Sequence, residues 1–285
     1  MTPSSSVVAV EHVSLNGRGR DFIVGDIHGC FDQVLRAMDK MRFDQSVDRL
    51  FSVGDLIDRG PGSQRTARFL RHPWVNAVKG NHEAMLLELY ADGEPHPAAV
   101  EFVASRNGFR WWLETPASVR ADILTAIEPL PIAIEIQTPR GAVGLVHADV
   151  PKGVTWQEFT VALERGDAQT IQIALWGRDR ILNNDDSGVE GIGRVFVGHT
   201  PVARLARLNN LYAIDTGAVY GVLDPERSVG AMTFIDICTQ TNTLLTLGSM
   251  QRPADLVFAP SDAEQTARPF SAPGKSTERP RVDVL

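Results

Sequence analysis

Short apolar runs recur along the chain between polar stretches rich in Gly, Asp and Asn. DFIV, RLFSV, WVNAV, IAIEI, AVGLV, RVFV, LYAI, AMTFI and TLLTL have the length and the β-branched or aromatic content of buried strands. Other segments carry helical spacing. CFDQVLRAMDKM places Phe31, Val34, Leu35 and Met38 at i, i+3, i+4 and i+7, a stripe suited to packing on a sheet. HEAMLLELYA and residues Ala117 to Ile127 read the same way. Strand and helix alternate in the first half and strands dominate the second, which predicts an α/β domain with mixed sheets. Gly17 and Gly19 in NGRGR lack the third glycine and preceding strand of a dinucleotide fingerprint, so that stretch reads as a loop.

Composition narrows the picture. The 285 residues are 43% apolar and 22% charged, as in globular chains. Residues 251–285 hold five of the 17 prolines and no sustained apolar period, so they are expected to be a disordered tail. Residues 1–19 are expected to be a partly loose N-terminal segment, leaving 20–250 as the main folded domain. No apolar run approaches the ~18 residues of a membrane span, and MTPSSSVVAVEH lacks the basic start of a secretory signal. A cytoplasmic protein with no membrane partner is expected. Cys30 and Cys238 are too few for a disulfide framework or a CxxC site and are expected to be reduced. A net charge of −7 has the wrong sign for a general nucleic-acid binder, so an anionic substrate must be attracted locally. A monomer is expected. Between Pro95 and Pro116 the insert NGFRWWLE offers Trp111 and Trp112, readable as anchors of a short helix or as a substrate rim.

The candidate chemistry lies at strand ends. FIVGD, LFSVGD, VNAVKGN, VGLVH and RVFVGH deliver Asp26, Asp55, Asn81, His147 and His199. Gly25, Gly54, Gly80 and Gly198 each immediately precede such a residue, as suits a sharp strand exit with close backbone approach. His28 follows Asp26 by two positions and would project to the same side. Ligands in open α/β sheets bind beyond the carboxyl ends of strands, where these residues would converge. Carboxylate, amide and imidazole donors together suit Mn, Fe or Zn better than Ca or Mg. Six donors exceed the need of one open ion and match two ions ~3.5–4 Å apart sharing one carboxylate, for which Asp55 is the natural bridge.

In GDIHG (25–29), GDLIDRG (54–60), GNHE (80–83), the His147 of VHAD and VGHT (197–200), the chain resembles the phosphoprotein phosphatase branch of the binuclear metallophosphoesterases. FSVGDLIDRGP, WGRDR (176–180) and IDTGAVYG (214–221) extend the similarity to small bacterial and lambda-phage-type serine/threonine protein phosphatases, over roughly residues 20–247. The resemblance implies a calcineurin-like fold, two mixed sheets in a sandwich flanked by helices. It implies that Asp26, His28 and Asp55 bind one metal and that Asn81, His147 and His199, with the bridging Asp55, complete the second, with Mn2+ the expected ion. It further implies in-line attack on phosphorus by a metal-bridging hydroxide, His82 as general acid, Asp58 as the carboxylate orienting it, and Arg59 as a phosphate clamp. Arg178 is the expected second clamp on the W-x-R pattern, with Arg180 the alternative.

Bland readings stand beside these. His12, His72 and His96 lie outside every motif and read as surface residues. Glu83 reads as favourable charge in a first helical turn, and Asp149, Asp215 and Tyr220 as supporting or core residues. The expected function is dephosphorylation of phosphoserine and phosphothreonine in proteins or peptides, with phosphotyrosine a further substrate. The alternatives are a symmetrical diadenosine tetraphosphate hydrolase, whose members typically lack an Asp at position 58 and carry Asp rather than Glu after the motif histidine, and a metal-binding interaction module without catalysis.

Overall fold

The structure, a computed structural model, describes residues 8–224, 226 and 230–239, with the backbone of two further strands at 244–247 and 256–259. One sheet has the order β1 (Val10–Val13), β5 (Ala133–Thr138), β6 (Gly141–Val146), β7 (Arg194–Val197), β9 (Leu211–Ala213), β8 (Ala206–Leu208). The other runs β12 (Leu256–Ala259), β11 (Leu244–Leu247), β10 (Met232–Asp236), β2 (Asp21–Val24), β3 (Arg49–Ser52), β4 (Val75–Ala77). Both are mixed. β2, β3 and β4 run parallel in one, and β6, β7 and β9 in the other.

The register explains why the sheets face each other. Ile235, Ile23 and Phe51 stand side by side across β10, β2 and β3, while Ile134, Leu145 and Phe196 do so across β5, β6 and β7. These rows belong to one buried cluster, the interior of the sandwich. Side chains alternate along a strand, so the neighbours point outward. Phe22, Val24, Leu50 and Phe234 meet helices α1 (Phe31–Lys40), α2 (Thr66–Leu70), α3 (Asn81–Leu89), α4 (Pro97–Ala104) and α5 (Ala117–Ile127). Val146, Val195 and Val197 meet α6 (Trp156–Glu164), α7 (Ala168–Trp176) and α8 (Asp179–Leu182). A last short helix, α9 (Ala218–Leu223), joins the first of these outer layers. The result is the expected sandwich of two mixed sheets with helices outside.

All nine strands read from the apolar runs are present, and three more join them. β1 is an edge strand of alternating residues, VEHV, half exposed and therefore without an apolar run. It makes part of the expected loose segment over 1–19 a member of the sheet. β8 is a three-residue arm of a hairpin. β12 pairs with β11 inside the expected tail; the rest of 251–285 and residues 1–7 lie outside the described residues. In α1, Phe31, Val34 and Met38 are buried as expected, but Leu35 is exposed and Ala37 takes its place on the inner face. Among the described residues no helix is long and apolar enough to cross a membrane.

Candidate active site

The parallel strands of both sheets release their chains at the same edge. Asp26 and His28 follow β2, Asp55 follows β3, Asn81 opens α3 after β4, His147 follows β6 and His199 follows β7. The loops are tied together by backbone bonds. The Ile27 and His28 N–H groups donate to the Asp55 carbonyl at 3.1 and 2.7 Å, and the Gly198 N–H donates to the His147 carbonyl at 2.7 Å. Two strand-exit glycines have a steric reason: a Cβ at Gly80 would lie 2.2 Å from Asp55 Oδ1, and one at Gly198 would lie 1.9 Å from Asp26 Oδ1. Only bare backbone lets the carboxylates sit there.

Strain is concentrated at this edge. Of the nine non-glycine residues with positive φ among those described, five are His28, Asp55, Asp58, Arg59 and His199. Such conformations cost of order 1–3 kcal/mol each and persist where surrounding contacts over-determine them. One such contact was not legible in the sequence. Glu83 is fully buried, and its carboxylate accepts the backbone N–H groups of Gly80, Asp55, Leu56 and Ile57 at 2.8 to 3.2 Å. It holds the loop after β3 against the start of α3, beyond the helix-terminus role the sequence suggests. Burial, reinforced by Asp55, pushes its pKa up to about 7.

The six expected ligands are brought together and buried. Ligand atoms of Asp55, His147 and His199 lie within 4.8 Å of one another, and so do those of His28, Asp55 and His82. Asp55 belongs to both groups, the position of a bridge. Asp26 stands beside them, its carboxylate accepting the His199 backbone N–H at 3.1 and 3.2 Å. Tautomers follow from the carbonyls behind the rings. Nδ1–H of His147 donates to Val53 O at 2.8 Å, and Nδ1–H of His28 donates to Ile57 O at 2.7 Å. Each neutral ring therefore aims a bare Nε2 inward, with His147 Nε2 2.8 Å from Asn81 Oδ1 and 3.4 Å from Asp55 Oδ1. His199 Nδ1 lies 2.9 Å from the same Asn81 oxygen.

Electrostatics keeps these rings neutral. Burial lowers the pKa of His28, His147 and His199, the last to about 2, where His147 and Arg178 add to the effect. Asp55 is held below the usual carboxylate range: burial works against ionisation, and the charges of His82 and Arg59 oppose that effect. Burial and repulsion from Asp215 and Asp55 push Asp26 up. Buried lone pairs of imidazole, amide and carboxylate converging on one another form an unbalanced acceptor set, which divalent cations fit.

Beside this set, His82 Nδ1–H donates to Asp58 Oδ2 at 2.5 Å. Burial lowers the His82 pKa, yet Asp55 and Asp58 more than offset it, so His82 holds its proton above the usual imidazole range. Arg59 spans the gap, Nη1 2.6 Å from His28 Nε2 and Nη2 3.0 Å from His82 Nε2. The two other arginines separate clearly. Arg180 is buried and bonded to the Val150 and Pro151 carbonyls, Ser187 and Asp149, a structural post. Arg178 is half-buried at the site edge, donating to the His199 carbonyl and Thr200 Oγ1 at 3.3 and 3.2 Å.

The remaining residues take supporting places. Asp149 accepts the Val150 N–H, and Asp215 accepts the Gly217 N–H; burial lifts both pKa values to about 6. Asp149, Trp176 and Arg178 line a cavity of about 790 Å3 next to the cluster. His72 stacks on Trp74, His96 caps α4 and His12 is exposed beside Glu135. The two tryptophans of the insert make different contacts. Trp112 is a buried anchor donating to Tyr90 Oη at 2.9 Å, whereas Trp111 Nε1–H reaches Asp58 Oδ1 at 2.7 Å.

The chain is similar to proteins named as phosphatases and tetraphosphatases. The chain is 35% identical over 203 residues to serine/threonine-protein phosphatase 1 of Salmonella typhimurium, spanning 70% of this chain and 87% of that protein. It is 32% identical over 155 residues to a symmetrical bis(5'-nucleosyl)-tetraphosphatase of Methylococcus capsulatus, spanning 54% of this chain and 50% of that one. A crystal structure of a candidate diadenosine tetraphosphatase superposes with a TM-score of 0.60 at 23% identity, covering 86% of this chain and all of that one, a likeness of fold. The calcineurin-like phosphoesterase family model matches residues 22–212, from β2 to β9 and through every strand-end donor, so the chain belongs to that family and is a hydrolase of phosphate esters.

Proposed function

We propose that this phosphoesterase is a cytoplasmic, monomeric serine/threonine protein phosphatase acting in signal transduction, with two Mn2+ ions and phosphorylated proteins or peptides as substrates. The observation that carries the phosphomonoesterase reading is the Asp58–His82 pair at 2.5 Å beside the six-donor cluster. The similarity to the Salmonella phosphatase over 87% of its length supports the choice of substrate, since the tetraphosphatase matches over half of its length.

Asp26, His28, Asp55, Asn81, His147 and His199 would hold the two ions. When bound, these would neutralise charge on the phosphoryl oxygens and activate a water for in-line attack. The rest belongs to the chain. Arg59 and Arg178 present guanidinium forks to the remaining phosphoryl oxygens. Arg59 Nη2 faces a bare His82 Nε2 at 3.0 Å in the structure, so turning Arg59 onto phosphate frees that nitrogen to take up a proton from solvent. His82 then gives the Nε2 proton to the departing serine or threonine oxygen, and Asp58 at Nδ1 keeps the ring aimed.

The test is a metal-stripped enzyme restored with Mn2+, assayed side by side on a phosphoseryl peptide and diadenosine tetraphosphate. Higher kcat/KM on the peptide, dependent on metal, supports the proposal. Preference for the dinucleotide keeps the site chemistry and moves the protein to nucleotide hydrolysis, and no turnover of either leaves a binding module.

A further inference from the structure

The insert between Pro95 and Pro116 touches the loop that carries Asp58 at two points. Asp58 and Arg59 are consecutive residues in the left-handed region, φ 72° and 63°. Two neighbours in that region persist where surrounding contacts over-determine them. Two of those contacts come from the insert: Gly108 C=O accepts the Arg59 N–H at 3.0 Å, and Trp111 Nε1–H donates to Asp58 Oδ1 at 2.7 Å. The approach is close, since a Cβ on Gly108 would lie 2.7 Å from the Arg59 backbone.

We propose that Trp111 is a positioning residue for the reaction, fixing the Asp58 carboxylate from the side opposite His82 so that the His82 ring stays aimed at the leaving group. Both oxygens of this buried carboxylate are engaged, Oδ2 by His82 and Oδ1 by Trp111. A carboxylate held at one oxygen turns about its Cβ–Cγ bond, and a second bond stops that rotation. The indole is itself braced. Its ring stands edge-on to Trp112 at 5.2 Å and packs near Phe109 at 6.2 Å, both of them buried. The inference rests on the reading of His82 as the acid.

Trp111→Phe keeps an aromatic ring and removes the N–H. The readout is kcat on a phosphoseryl peptide, whose alkoxide leaves poorly, against p-nitrophenyl phosphate, whose phenolate leaves without help. We expect kcat on the peptide to fall about tenfold with KM little changed, and turnover of the aryl ester to stay within about twofold. Trp112→Phe, which removes the bond to Tyr90 and none to Asp58, should lower Tm and leave the ratio of the two rates at the wild-type value. Adding Trp111→Phe to Asp58→Asn should cost nothing further, because the indole acts through that carboxylate. An equal loss on both substrates, or a full additive loss in the double variant, would overturn the proposal. His82→Ala separates the two ideas: leaving-group selectivity there but not in Trp111→Phe sinks the inference alone, and selectivity in neither sinks the acid assignment beneath it.

Discussion

At the entering ends of β2 and β3, Arg49 reaches both oxygens of the fully buried Asp21 at 2.7 and 2.8 Å, and Arg20 closes on Asp48 at 2.7 Å. At the leaving ends of the same strands, Asp26 and Asp55 face one another and three neutral imidazoles. Both ends bury carboxylates, and the difference is who balances them. Each acid at the first end has a guanidinium of its own, so the chain satisfies itself and gains a closed edge. The second end gathers acceptors faster than donors, with Arg59 and Arg178 at its margin, and suits cations from outside and an anionic substrate. Buried charge marks function where its partner is not supplied by the fold.

That contrast can be broken from either side. The largest effect is expected from Asp55→Ala, which removes the carboxylate shared by both donor groups: bound metal, measured by elemental analysis after dialysis, should drop together with turnover to background. His82→Ala comes next, slowing phosphoseryl peptide hydrolysis by about 10²–10⁴-fold while metal content stays at the wild-type level. Arg59→Lys keeps the charge and loses the fork, and about tenfold should be lost from kcat/KM on the peptide, more than a point charge would predict.

The pH profile sharpens the comparison further. Without metal, Asp55 and Asp58 hold the His82 proton to a pH above the ordinary imidazole range, and it is lost as pH rises further. Asp58→Asn should therefore lower the pH at which the ring of the metal-free protein loses its proton, followed by NMR; a titration that stays in place would separate Asp58 from the acid. The smallest effect on turnover belongs to the opposite end. Asp21→Ala leaves Arg49 without its buried partner and should cost about 3 kcal/mol of stability, read as a lower Tm, with kcat unchanged.

The apolar runs were enough to place nine strands, and the strand-end pattern to single out Asp26, Asp55, Asn81, His147 and His199, with His28 two positions after the first, because each depends on local periodicity or on a motif a few residues long; the sandwich itself was implied only by the family resemblance. Three strands escaped: β1 alternates at an edge, β8 spans three residues, and β12 is short and flanked by proline-rich sequence. Only the tertiary structure separates the surroundings of Arg178 and Arg180, two positions apart in WGRDR: one is half-buried at the site edge, the other buried among backbone carbonyls. The same holds for Glu83, whose four backbone partners include three from a loop 26 to 28 residues earlier, and for Trp111, 53 residues from the carboxylate it meets. Spacing along a chain announces which groups leave a strand together; it carries no information on which distant side chain closes the last hydrogen bond, because that is set by how the layers pack.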